Sequence, residues 1–121
     1  MISTLSGFAD DIVAVSCSGH VTKGDYERVL IPAVEAALKS NRRVRLYYHI
    51  GADFEGIAPG AIWEDFSIGM EHLLSWERLA VVADVVWIRH TIQTFGFLMP
   101  GKLRVFSLKD QAQARAWIAE R

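Results

Sequence analysis

Three short apolar runs, VRLYYHI (44–50), RLAVVA (78–83) and KLRVF (102–106), each precede a segment whose apolar residues recur at helical spacing. Runs of this length rich in β-branched and aromatic residues are strands, and a three-to-four-residue recurrence marks an amphipathic helix. Strands alternating with helices pair in parallel, joined by right-handed crossovers. That alternation rules out bundles, sandwiches and barrels of hairpins, and it leaves an open sheet covered by helices.

The amino-terminal part adds two strands. Ile2 to Leu5 is one, and IVAVSCSG (12–19) is the other, joined by the turn SGFADD, with Gly19 and His20 closing the second. A hairpin there makes the sheet mixed. Thr22 and Asp25 resemble a capping box with Asp in place of Glu. Behind them Tyr26, Val29, Leu30, Ala33, Val34 and Ala37 share one helix face. Pro32 lies inside that pattern and cannot donate to the carbonyl of Arg28, which predicts a kink or a restart. GADFEGIAPG (51–60) reads as a long loop, and a helix is expected from about Ala61 to Ser75. Asp84 is placed to cap the helix VVWIRHTIQTF, whose inner side carries Val85, Ile88, Ile92 and Phe95, with Gly96 beyond its end. Ser107 with Asp110 resembles a second capping box, opening a terminal helix. The expected fold is therefore α/β: a single domain over 1–121, with about five strands in a mixed, mainly parallel sheet and four helices.

Composition narrows the function classes. With 13 Lys and Arg against 14 Asp and Glu, the net charge is −1, and no like-charged block offers a footprint for nucleic acid. The single cysteine, Cys17, excludes an internal disulfide and a cysteine-based metal site, which fits a cytoplasmic setting. The longest apolar stretch, LAVVADVVWI, is interrupted by Asp84 and is too short to cross a bilayer. No basic leader with a long apolar run is visible at the start. No motif calls for a cofactor or a metal.

Several segments in order, SGHVTKGDYERVLIPAVEAAL, GADFEGIAPGAIWED, WERLAVVADVVWIRH and FGFLMPGKLRVF, resemble the SpoIIAA-like branch of the STAS superfamily. The resemblance runs from about Gly19 to Phe106 and implies the same fold. Anti-sigma-factor antagonists of that superfamily carry a phosphorylated serine at the start of the helix after the third strand. Here HIGADFEGIAPGAIWED offers no serine or threonine before Ser67, and Asp53, Glu55, Glu64 and Asp65 would repel a phosphate dianion. The resemblance thus implies a binding or interaction domain without the phospho-switch. It further implies apolar ligands or membrane surfaces as things such a domain could meet.

Ligands of open α/β sheets favour the crevice beyond the carboxyl ends of the strands. His20, the segment from His49 to Gly60 and Asp84 are expected there. Two apolar connections flank it: Phe54, Ile57 and Trp63 in one, Phe95, Phe97, Leu98 and Met99 in the other. The last three either begin the final strand as core or form one lip of an apolar crevice. His49 with Asp53 or Glu55, and His90 one and a half turns past Asp84, are the titratable candidates. Three readings follow. The first is a homodimeric, non-enzymatic interaction domain that takes a lipid-like ligand or touches a membrane surface. The second is a small hydrolase or isomerase using His49 with Asp53 or Glu55. The third is a regulatory protein that switches protein partners without the usual phosphoserine. Trp63 and Trp87 are expected in the core, and Arg89 is expected to cap or to meet an anion.

Overall fold

A computed structural model describes residues 1–58, 60, 75–95 and 102–121. The chain forms β1 (Ile2–Thr4), β2 (Ile12–Val21), α1 (Lys23–Asp25), a π-helical turn (Tyr26–Leu30), α2 (Ile31–Ser40) and β3 (Val44–Ile57). β4 (Trp76–Val82), α3 (Val86–Phe95), β5 (Leu103–Phe106), a 3-10 turn (Leu108–Asp110) and α4 (Gln111–Ala119) follow. The five strands lie in the order β1-β2-β3-β4-β5. β1 runs antiparallel to β2, and every other pairing is parallel. The mixed, mainly parallel sheet is as expected. Helical structure among the described residues falls in three bodies, residues 23–40, α3 and α4 with its leading 3-10 turn. The fourth expected helix falls almost wholly on 61–74, outside the described residues.

Because the parallel strands follow one another in a single direction, right-handed crossovers put their connecting helices on one face. Val13, Val15 and Cys17 of β2 and Leu46, Tyr48 and Ile50 of β3 pack there against Tyr26, Leu30, Val34 and Ile88. The opposite face carries Ile12, Ala14, Tyr47, Ala80, Val82 and Phe106, roofed by Ala114 and Ile118 of α4, with Leu5 and Phe8 at its margin. Each fully buried side chain of the size of Leu30 or Ile118 contributes roughly 1.5–3 kcal/mol.

The Thr22–Asp25 capping box forms as expected, with both reciprocal hydrogen bonds present. Pro32 acts one turn upstream of itself. Its ring excludes the ordinary bond to the carbonyl four residues back, and the preceding turn widens until the N–H of Ile31 bonds to the Tyr26 carbonyl. Two expectations change. Asp84 does not cap α3; its Oδ1 accepts from the Leu108 N–H 3.1 Å away, tying the end of β4 to the start of the terminal helical segment. Ser107 precedes the 3-10 turn without a side-chain cap bond.

The amino end of the sheet is closed by arginines. Arg45, 4% exposed, donates through Nε to Glu77 at 2.9 Å and through Nη1 to the carbonyls of Ile118 (2.7 Å) and Glu120 (2.5 Å). Arg78 donates to the Trp117 carbonyl and lies over the Trp117 ring. Arg121 grips Asp11 with both Nη atoms, and that hydrogen bond holds the Asp11 carboxyl below its ordinary value. Arg45→Ala leaves buried carbonyl oxygens without a donor, at about 1–3 kcal/mol each. A urea unfolding midpoint corresponding to a loss of about 3 kcal/mol is expected, against less than about 1 kcal/mol for the exposed Lys39→Ala.

Candidate functional site

The strand β3 does not stop at His49. It continues to Ile57, pairing beyond Ile50 with Gly19, His20 and Val21 of β2, so most of the expected loop is strand. The glycines that read as breakers serve a bulge instead. From Ile50 to Gly56 β3 takes six steps, while β2 covers the matching span from Cys17 to His20 in three. Gly19 absorbs the mismatch at φ +57°, a conformation that costs an L-residue about 1–2 kcal/mol. Gly19→Ala is therefore expected to lower stability by about that amount, read as a shift in the denaturation midpoint.

The bulge sorts the candidate residues onto two faces. Phe54 and Ile57 turn to the α1–α2 side and pack, partly buried, against its core. His49 continues the alternation of Arg45 and Tyr47 and so faces the α4 side. Asp53 folds back toward it: a Cβ built on Gly51 would stand 2.9 Å from Asp53 Oδ1 and 3.7 Å from His49 Cε1. Glu55 is exposed. His90 is exposed on α3, across the sheet from His49, so the two histidines do not meet. Trp63, the side chain of Phe95, and Phe97, Leu98 and Met99 lie outside the described residues.

One partner of His49 was not legible in advance. Ser16 is its register mate across β2 and β3, and Ser16 Oγ and His49 Nδ1 share a 2.8 Å hydrogen bond. Ser3 of β1 stands opposite Ser16 in turn, giving a polar row across three strands. Both members of the Ser16–His49 pair are half-buried, while Ser3 and Asp53 are exposed. Burial holds the His49 pKa below 6.5, the Arg115 guanidinium lowers it further, and the Asp53 carboxylate opposes both. Arg115 itself lies over Phe8, 4.7 Å from the ring centroid, and 5.9 Å from that of Tyr47. Burial pushes the Tyr47 phenol up, against the pull of the same arginine.

The large apolar groups at this end of the sheet also moved from expectation. Trp87 is not core but 49% exposed, beside Val86 at 67%. Trp76 is buried at the start of β4, at the other end of the sheet, and Arg89 donates to the Ala83 carbonyl, the capping role expected of it. Among the described residues no group of three His, Cys, Asp or Glu side chains could hold a metal, and no helix is long and apolar enough to cross a membrane. A groove of about 370 Å³ lies at the far, amino end of the sheet, between Thr4, Leu5 and Asp10 and the Ala33, Ala37 and Asn41 side of α2. None of the candidate residues lines it.

Comparison with known proteins gives one family and one fold. A family model described as SpoIIAA-like matches residues 12–119. Among solved structures, the chain is similar to an uncharacterised protein of the DUF3478 family, with a SpoIIAA-like fold, from Shewanella loihica PV-4. The two share 22% identity over 97% of this chain and 93% of that one, with a TM-score of 0.71. No curated protein sequence matches.

Because the folded His49 pKa lies below the unfolded value, its contribution to stability is complete above about pH 6.5 and is lost as pH falls through the folded pKa. Urea melts from pH 8 down to pH 5 should therefore show a steeper loss for the wild type than for His49→Gln, which has no proton to take up.

Proposed function

Since the chain belongs to the SpoIIAA-like family, whose fold supports an interaction domain, we propose that it binds an apolar surface or lipid-like ligand through the carboxyl-end rim of its sheet. The observation that carries this reading is the placement of exposed apolar groups. Met1, Val86 and Trp87 are the large apolar side chains most exposed among the described residues, at 60%, 67% and 49%. All three stand at the carboxyl ends of the parallel strands, Met1 because β1 runs antiparallel and begins there. Exposed apolar groups gathered at one end mark a contact surface. An indole on a first helical turn suits the water–lipid boundary, since its ring is apolar and its N–H is polar.

The mechanism is steric and makes no bond. Phe54 and Ile57 hold the extended arm of β3 against the core, and α3 presents Val86 and Trp87 to solvent at the same end of the sheet. A homodimer in which two rims cover one another, or a regulatory protein seated on the rim, would use the same surface. Two features support a lipid surface: Trp87 is exposed in the first turn of α3, and Lys23 and Arg28, which pair with Glu27 and Asp25, stand exposed at the same end.

Flotation of the full chain with liposomes of mixed neutral and anionic lipid tests the reading. Wild-type protein should float with the vesicles, with a blue shift in tryptophan emission, and Trp87→Asp should remain in the dense fraction. Equal flotation of the two proteins, or none by the wild type, rejects the lipid surface. Sedimentation of the same pair reads out a dimer held by the rim: a Trp87→Asp monomer against a wild-type dimer would assign the surface to a second copy.

The Ser16–His49 hydrogen bond favours a second reading, proton-transfer chemistry at His49 with Asp53, on the other face of the sheet from Phe54 and Ile57.

A further inference from the structure

On β1, β2 and β3 the α4 face is apolar only as far as Tyr47. One step beyond, toward the carboxyl ends, Ser3, Ser16 and His49 lie in one cross-strand row that runs on into the buried Val82 and Phe106, and Asp53 is folded back over Gly51. α4 roofs the apolar half and leaves this ledge open, with Ser3 and Asp53 exposed. Neither the family's fold nor the apolar rim accounts for it.

We propose that Ser16 and His49 act as nucleophile and base, with the Asp53 carboxylate as a nearby counter-charge, and that the ledge hydrolyses short-chain carboxylic esters. A serine hydroxyl is a weak nucleophile unless a neighbouring base takes its proton. His49 Nδ1 stands 2.8 Å from Ser16 Oγ, within the reach that proton transfer needs. The base must be neutral to act, and the half-buried setting of His49 beside Arg115 keeps it so near neutral pH. The imidazolium formed during attack needs a counter-charge, and Asp53 supplies it. The bulge is the device that brings Asp53 there, since a regular strand would carry residue 53 two pleats beyond residue 49 along the ladder. Gly51 completes the arrangement because any side chain at that position would enter the space between His49 and Asp53. Residues 51–53 have no register partner in β2, and β4 ends opposite His49, so this stretch of backbone lies outside the regular ladder beside the pair.

The chemistry balances with water as the only co-reactant. With the histidine proton on Nε2, Ser16 Oγ bonds to the ester carbonyl carbon as its proton passes to Nδ1. The carbon–oxygen bond to the alcohol breaks, and the alcohol leaves with that proton. Water then attacks the acyl-Ser16 carbonyl, gives a proton to Nδ1, and the acid departs as Ser16 regains its hydroxyl. Among the described residues the open side of the ledge carries Ser3 and Asp53, both polar and exposed, so acetyl- or propionyl-sized groups are the class proposed for it.

The test uses the full chain with a fluorophosphonate probe and with p-nitrophenyl acetate. The probe should attach to Ser16, identified by peptide mass spectrometry, and attachment should vanish in Ser16→Ala. His49→Gln should slow labelling and ester turnover by roughly 100-fold or more. Asp53→Asn, a change at an exposed position, should slow turnover and move its acid limb to lower pH, because removing the carboxylate removes the one charge that raises His49. A merely structural Asp53 would leave that limb in place. Absence of labelling at Ser16 overturns the proposal. So does labelling that survives His49→Gln together with an acid limb unmoved by Asp53→Asn. Liposome flotation of Ser16→Ala should match the wild type, so failure at the ledge and failure at the rim are read separately.

Discussion

The register of β3 against β2 decides what every other part of the molecule can be. Successive residues of a strand point to opposite faces, so a slip by one residue would exchange the two faces of β3 entirely. In the observed register Leu46, Tyr48 and Ile50 meet the apolar sides of α2 and α3, and Arg45, Tyr47 and His49 meet α4. Arg45 makes the alternative costly. Its guanidinium is buried among Glu77 and the carbonyls of Ile118 and Glu120, and on the other face it would stand against the apolar helix side with none of them. An uncompensated buried charge costs several kcal/mol, comparable to the whole stability of a small domain. The pair it forms with Glu77 is thus better understood as fixing which face is which than as net stabilisation.

The same register carries the site. Ser16 meets His49 only because Ile12 is set opposite Arg45, four residues back on each strand. The bulge then releases the regular alternation at the point where β3 leaves β4 behind. In one stroke it turns Phe54 and Ile57 into the core of one face and brings Asp53 over the other. A stretch with glycines at 51 and 56 can do this because it tolerates both a compressed ladder and a side chain folded over bare backbone.

Much of the fold was legible in the sequence because strand and helix periods differ so strongly. VRLYYHI, RLAVVA and KLRVF each became a parallel strand, and the Thr22–Asp25 box opened a helix. The arm of β3 was not legible: Gly51 and Gly56 read as breakers, and only the partner strand, itself running on past Gly19 to Val21, shows them to be ladder residues. Trp87 misled for a different reason. It neighbours Ile88 in sequence, but one residue turns a helix by about 100°, enough to take the indole out of the core that Ile88 enters. Ser16 was missed because a single serine in an apolar strand has no meaning until its neighbour is known. The available signal was that Ser16 and His49 each interrupt an otherwise apolar run near its carboxyl end.

The sheet keeps its two candidate surfaces apart. The rim is built by elements on the helix-covered face, α3 and the core-facing side of the β3 arm. Among the described residues α4 packs over Tyr47, Ala80 and Val82 and leaves Ser3, Ser16 and His49 at the margin of its roof. An apolar residue at position 49 would extend the apolar row of Val82 and Phe106 onto β3 and demand a roof beyond α4. The half-buried histidine instead leaves a partly desolvated hydroxyl–imidazole pair at the margin of that roof. Burial on its other sides is what holds His49 neutral, so the depth of the ledge and the protonation state of its base follow from the same packing.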